Sequence, residues 1–355
     1  MARKRLISLV GTVVALAILA AAAVVVIVRI TKDDAPDTVL AGALRMAPAD
    51  AKRFSWTDWT AVRREVGLDL GADSPGAAVQ DLLDRGFEAD LTSTSALGAS
   101  ALVMQEKLGF SPATLDWELF SQGPNTASLV MRVGPEVDYD VVASSLLGAG
   151  YAEPAEEDGA WEADPEIDAI TAQVTPELNF VSLDRERSLI YASDNTSGIN
   201  AALEAGRADG SEVLPPEVVA ATGEPVTAAL YTGDHVCSAL AMANADVTDL
   251  ETGEALVAAA GVVNPITAFS MGADPDGVIR VVMSFETAEQ AVTNAETRAV
   301  LATGPAPGQG GDFAERFDLT SVVATGTVVT LDLSPIPGAY VLSDLSTGPL
   351  LFATC

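Results

Sequence analysis

The chain has 355 residues, of which 50 are acidic, 19 basic and one histidine, with two cysteines and a formal charge of -31 at neutral pH. Such a surface repels nucleic acid and anionic lipid or wall polymer at long range, so no nucleic-acid partner is expected. One histidine and two cysteines fall short of a structural zinc set, and neither metal nor cofactor is expected.

In chain order, residues 1–5 form a short cytoplasmic stub carrying Arg3, Lys4 and Arg5. Residues 6–28, "LISLVGTVVALAILAAAAVVVIV", hold no charge. At about 1.5 Å per residue such a run crosses a hydrocarbon layer of about 30 Å, and it is expected to be a transmembrane helix. Arg29 and Lys32 follow it but are answered at once by Asp33 and Asp34, so the basic excess sets the N-terminus inside and the bulk of the chain outside. The competing expectation is a cleaved signal peptide at Ala20-Ala21-Ala22, against which "AVVVIV" continues the apolar run past the cut. A lipoprotein is excluded because the first cysteine is Cys237, and a sensor is disfavoured by so short a cytoplasmic stub.

Residues 29–53 mix Ala, Pro and Asp without a sustained period and are expected to be a tether. Two α+β lobes of antiparallel sheet packed with helices are expected beyond it, over 54–210 and 211–355. In "FSWTDWTAVRREVG", Ser55 and Asp58 make a capping-box pattern, Trp59, Val62 and Val66 recur at helical spacing, and Gly67 can close the helix. "GFSPATLDWELF" repeats that logic with Ser111 as N-cap and Pro112 at the first helical position, so the lobe starts mainly helical up to Gln122. There follow a strand in "TASLVMRV", a helix in "DYDVVASSLLGAG", a hairpin turning near Arg185 and a helix in "TSGINAALEAG".

"GRADGSEVLPPEVVAATGEP" has the composition of a linker. After it come a strand "VTAALYTG", helices "HVCSALAMA" and "ETGEALVAAAG", a hairpin turning at Asp276-Gly277, a helix "TAEQAVTNAETRAVLATG" and a strand "SVVATGTVVTLDL". Both lobes thus read strand, helix, hairpin, helix, a weak internal repeat.

Outside the membrane, Cys237 and Cys355 are expected to pair, pinning a tail that would otherwise fray. A bond between two copies and free thiols are the alternatives. No catalytic set emerges. His235 and Cys237 stand two apart on a helix and point in different directions, "GFSPA" lacks the glycine pattern of a nucleophile elbow, and 50 carboxylates single out no acid–base pair. "ADPDG" lacks the ligands of a calcium loop and is explained by a hairpin turn, and the acidic stretch 153–168 is expected to be a solvated loop around one anchoring Trp161. Trp59 and Trp117 are expected on apolar helix faces in the core. "GPAPGQGGDF" lacks the lysine of a phosphate cradle, and its Gly308, Gln309, Gly310 and Gly311 are expected to form a partner-contact loop.

"SWTDW", "LDWELF", "GPAPGQGG" and "SDLSTGPLLFATC", with an Ala-rich, Lys-poor composition, resemble membrane-anchored exported proteins of high-GC Gram-positive, actinobacterial-type bacteria. That resemblance implies location at the cell membrane and no particular activity. The expected function is a non-catalytic binding or scaffolding module of the cell envelope, with the membrane and an envelope protein or wall polymer as partners. The alternative is an envelope hydrolase working through Asp or Glu.

Overall fold

A computed structural model describes residues 38–156, 159–164, 170–208 and 212–355; the expected span over 6–28 lies outside them. No helix among the described residues is long and apolar enough to cross a membrane. The strands are β1 (Arg53–Thr57), β2 (Leu115–Gln122), β3 (Ala127–Val133), β4 (Tyr151–Ala152), β5 (Ala160–Ala163), β6 (Phe180–Asp184), β7 (Leu189–Ser193), β8 (Thr227–Thr232), β9 (Ala268–Ala273), β10 (Ile279–Ser284), β11 (Phe317–Thr325) and β12 (Val328–Pro335). The helices are α1 (Val39–Leu44), α2 (Trp59–Glu65), α3 (Gly76–Glu88), α4 (Ala101–Lys107), α5 (Tyr139–Gly148), α6 (Thr196–Arg207), α7 (Pro216–Thr222), α8 (His235–Ala239), α9 (Val247–Ala260), α10 (Ala288–Leu301) and α11 (Val341–Leu345).

All twelve strands join one antiparallel sheet in the order β11-β12-β10-β9-β8-β1-β2-β3-β7-β6-β5-β4. The α+β class with an antiparallel sheet is therefore present, but 54–210 and 211–355 do not build two sheets. They meet in the middle of one, where β1 pairs with β8 from Arg53↔Tyr231 to Thr57↔Thr227. Either side of that seam the connectivity is the same. Three strands in meander, β1-β2-β3 or β8-β9-β10, lead through α5 or α10 to a hairpin, β6-β7 or β11-β12, whose second strand returns to pair with the third. The first half adds β4 and β5 at its outer edge.

Helices cover both faces. On one, Leu129, Met131, Ile190, Phe269, Val281 and Leu331 pack under Trp59 and Val62 of α2, Leu82 of α3, Met104 of α4, Val142 of α5 and Ala291 and Ala295 of α10. On the other, Phe54, Trp56, Val130, Tyr191, Ala228 and Leu230 pack under Leu40 and Leu44 of α1, Ile199 and Ala202 of α6 and Val218 of α7. A sheet buried on both faces has strands that read as nearly unbroken apolar runs, as β7 and β9 do, every residue of each being buried. The helix α6 lies close on β7 because Gly198 and Gly206 face it; a Cβ at either would collide with Ser193 or Tyr191.

Several expectations are corrected here. "FSWT" is strand β1, and Asp58, whose side chain accepts from the Ala61 N–H at 2.8 Å, is the cap of α2 in place of Ser55. "LDWELF" is strand β2, so Trp117 is buried from a strand, where the tilted ring of Trp56 lies 5.4 Å from its own. Ser111 caps only a turn, accepting from the Ala113 N–H, because β3 offers Leu115–Gln122 a ladder that outweighs local helical spacing. The tether is folded from Val39, since Leu40, Ala43 and Leu44 form an apolar stripe that the second face buries. The linker likewise contains α7, which buries Val218 and Thr222 one turn apart. "SVVATGTVVTLDL" is two strands, not one, folded back at Gly326, whose φ of 58° suits a residue without a Cβ.

Candidate functional site

The last sixteen residues are built into the molecule. Cys237 and Cys355 form a disulfide with Cα atoms 5.8 Å apart, closing a loop of 118 residues. Leu350, Leu351, Phe352 and Ala353 are buried, and the Leu350 N–H donates to the Leu240 carbonyl at 2.6 Å. Arg298 of α10 is wholly buried behind this tail and donates to the carbonyls of Phe352 and Thr354.

A second clamp holds α11. Asp90, in the left-handed region at φ 57°, accepts from the Leu342 N–H at 2.6 Å, the Ser343 N–H at 3.1 Å and the Ser343 hydroxyl. It caps a helix 252 positions away, since Tyr340 at the helix start has no such acceptor. Burial raises the Asp90 carboxyl above its ordinary range, against the pull of these hydrogen bonds. Asp90→Ala is expected to lose about 2 kcal/mol in urea unfolding, with Asp90→Asn, which tolerates the same backbone, losing less. Equal stability of wild type and Asp90→Ala would show that the cap contributes nothing.

The loop of Gly308, Gln309, Gly310 and Gly311 packs on the same tail. Gln309 Nε2 donates to the Asp344 carbonyl at 3.1 Å, Arg316 donates to the carbonyls of Gln309 and Gly310, and a Cβ on Gly308 would strike Pro349. Gly308, Gly310 and Gly311 all have positive φ.

Glu118 is the most perturbed carboxylate. It lies on β2 beneath α2, fully buried, with Oε2 accepting from Trp59 Nε1 and Oε1 from the Ala96 N–H, both at 2.9 Å. Burial pushes its carboxyl up to about 7, against hydrogen bonds from Trp59, Ser95 and Ala96 that favour the charged form. An unfolded glutamate titrates at about 4.5, so the folded chain holds a proton that the unfolded chain has released. This contribution to stability is complete below pH about 4.5 and lost by about 7, amounting to about 3 kcal/mol. Glu118→Gln is expected to flatten that part of the stability–pH curve relative to wild type. Parallel curves from urea titrations at pH 4.5 to 7.5 would contradict it.

Surface clefts among the described residues offer little more. One, of about 440 Å³, is lined by Lys52, Gly233, Asp234, His235 and Ser238. Its His235 ring stacks on Tyr231 at 6.0 Å, and burial, helped by the Arg53 charge, holds the imidazole below its ordinary value. With Cys237 in the disulfide there is no thiolate beside it, and Ser238 Oγ donates to the His235 carbonyl instead of to the ring. Another, of about 510 Å³, lies between α3 and α4 and is bounded by Ser74, Gln80, Leu102 and Gln105, the last donating to the carbonyls of Ala72 and Ser74. Among the described residues no group of three or more His, Cys, Asp or Glu could hold a metal ion. "ADPDG" is the β9-β10 turn, its Asp274 paired with Arg280 at 3.0 Å. Trp161 is buried on β5, while part of the acidic stretch around it lies outside the described residues. Sequence reasoning missed Asp90, Glu118 and Arg298, for which neither spacing nor motif is a signal.

No family model matches the chain, and no curated protein matches it in sequence. Among solved structures, crystal forms I, III and IV of TP0453 align with it at 10%, 9% and 10% identity and TM-scores of 0.41, 0.39 and 0.40. The alignments cover 87%, 86% and 86% of this chain and 98%, 98% and 96% of that one.

Proposed function

We propose that this chain is a non-catalytic binding or scaffolding module of the cell envelope, held at the membrane by residues 6–28 with its bulk outside. The observation that carries the reading is how the deeply buried ionisable groups are used. Glu118, Asp90 and Arg298 each direct their hydrogen bonds at this chain's own backbone or side chains, and none lines either cleft. Enzymes place such perturbed groups where a substrate can reach them. The disulfide supports an oxidising compartment outside the cytoplasm. An envelope protein or wall polymer is the partner, with the Gly308–Gly311 loop as one contact, and the acidic surface disfavours nucleic acid.

Crosslinking in living cells on the tagged full-length chain, followed by mass spectrometry, tests this. One reproducible partner is the expected result. Turnover of wall glycan or peptide by the purified protein, abolished by a single Asp or Glu substitution, would overturn it.

A further inference from the structure

We propose that the outer edge of β11 is a docking strip that receives an extended segment of a basic partner protein as a thirteenth strand. This rests on the binding-module reading and names the surface and the chemistry of what it binds. The sheet ends at β4 on one side and β11 on the other. The two edges are built differently. The edge strand β4 has two residues and runs straight into Glu153 and Pro154, a short, charged, proline-bearing end of the kind that stops sheets from recruiting further strands. The edge strand β11 has nine residues and no lysine, arginine or proline.

Among the described residues the only strand paired with β11 is β12, and no backbone hydrogen bond from a turn or loop reaches 318–325. The helix α10 packs on one face of the strand and leaves its edge open. One irregularity, between Leu319 and Ser321, interrupts the ladder; Thr320 there turns its hydroxyl inward to the Asp332 carbonyl at 2.9 Å. Beyond it Ser321 to Thr325 run in regular register with Asp332 to Val328. Among the described residues nothing pairs with their outward N–H and C=O groups, a row about 17 Å long, and what satisfies such a row is another extended backbone.

Charge selects the occupant. Asp318 on the strand, Glu315 before it and Glu289 and Glu296 on α10 are exposed carboxylates. No Lys, Arg or His occurs after Arg316, which is itself engaged with Asp344 at 3.4 Å. A second copy would bring its own Asp318 and Glu315 and a charge of -31 against this edge, so a basic segment fits and a self-pair is opposed.

The test uses the full chain in zwitterionic detergent at low salt, with acetyl-(Val-Lys)₅-amide and acetyl-(Val-Glu)₅-amide as probes and amide hydrogen exchange as readout. The cationic peptide is expected to slow exchange of alternate amides within 318–325 by about tenfold. Ser321→Lys with Val323→Lys, which adds cations at half-exposed positions without touching buried Val322 and Ala324, is expected to abolish that protection while leaving the urea midpoint in place. No protection, equal protection by the acidic peptide, protection located elsewhere, or an edge already protected in the free chain or in a dimer would each overturn the proposal. Crosslinks that identify a partner but map away from β11 remove the edge and keep the binding reading. Hydrolysis removes that reading while the exchange result stands by itself.

Discussion

Arg298→Met is expected to destabilise the protein by about 3 to 5 kcal/mol. Arg298 is fully buried on α10, and among the described residues no carboxylate pairs with it. Its guanidinium instead donates to the carbonyls of Phe352 at 3.0 Å, Thr354, and Asn264 at 2.7 Å, with Nε on Asn294 Oδ1 at 3.2 Å and the cation 5.8 Å above the Phe285 ring. Burial lowers its pKa to about 9, which leaves it charged at neutral pH. A charge in that position is tolerable only because a fork of five donors meets several carbonyl oxygens at once. Methionine fills the volume but leaves the carbonyls without donors, each buried and unsatisfied one costing about 1 to 3 kcal/mol. Arg298→Lys is expected to recover little, because a point charge on a flexible stem cannot reach Asn264 and the tail together. Guanidinium unfolding that separates Arg298→Met from wild type by under about 1 kcal/mol would show that these bonds contribute no net stability.

The Cys237→Ser, Cys355→Ser variant is expected to lose about 5 kcal/mol, the loop-closure entropy of 118 residues in the chain-entropy account. Mass analysis of oxidised protein after alkylation without reduction should show no alkylated cysteine on the monomer; two would remove the disulfide. The tail is held twice, by this bond and by Arg298, so the two losses are coupled. Once Arg298 is replaced the tail already frays, and removing the disulfide as well is expected to shift stability by an amount differing from the sum by about 1 kcal/mol or more. Strict additivity would mean that the two clamps act on separate parts of the fold.

Local chemistry was legible where local chemistry decides the outcome. The hairpin β9-β10 carries its Asp-Gly turn in sequence, with Gly277 at φ 82°, and α10 carries Thr287 as a cap accepting from Gln290 at 3.2 Å. The disulfide followed from cysteine count and compartment. Strands β1 and β2 look helical in sequence because Asp58 follows β1 as a helix cap and Ser111 stands upstream of β2 as the cap of a turn, and because tryptophans at helical spacing fit a strand equally well when both faces of a sheet are covered. The turn at Gly326 was hidden between two β-branched runs for the same reason.

Composition, charge and periodicity by themselves determined the anchor expectation, the α+β class, most hairpins and helices, and the cysteine pair. Long-range packing sets the single sheet that the two halves share through β1 and β8, the burial of α1 and α7, and which of the 50 acids are buried. It also sets what the tail is tied to. Periodicity reports how one segment divides its residues between faces, whereas, apart from Asn294 one helical turn from Arg298, the hydrogen-bond partners of Asp90, Glu118 and Arg298 lie 22 to 253 positions away and are set by the packing of whole elements.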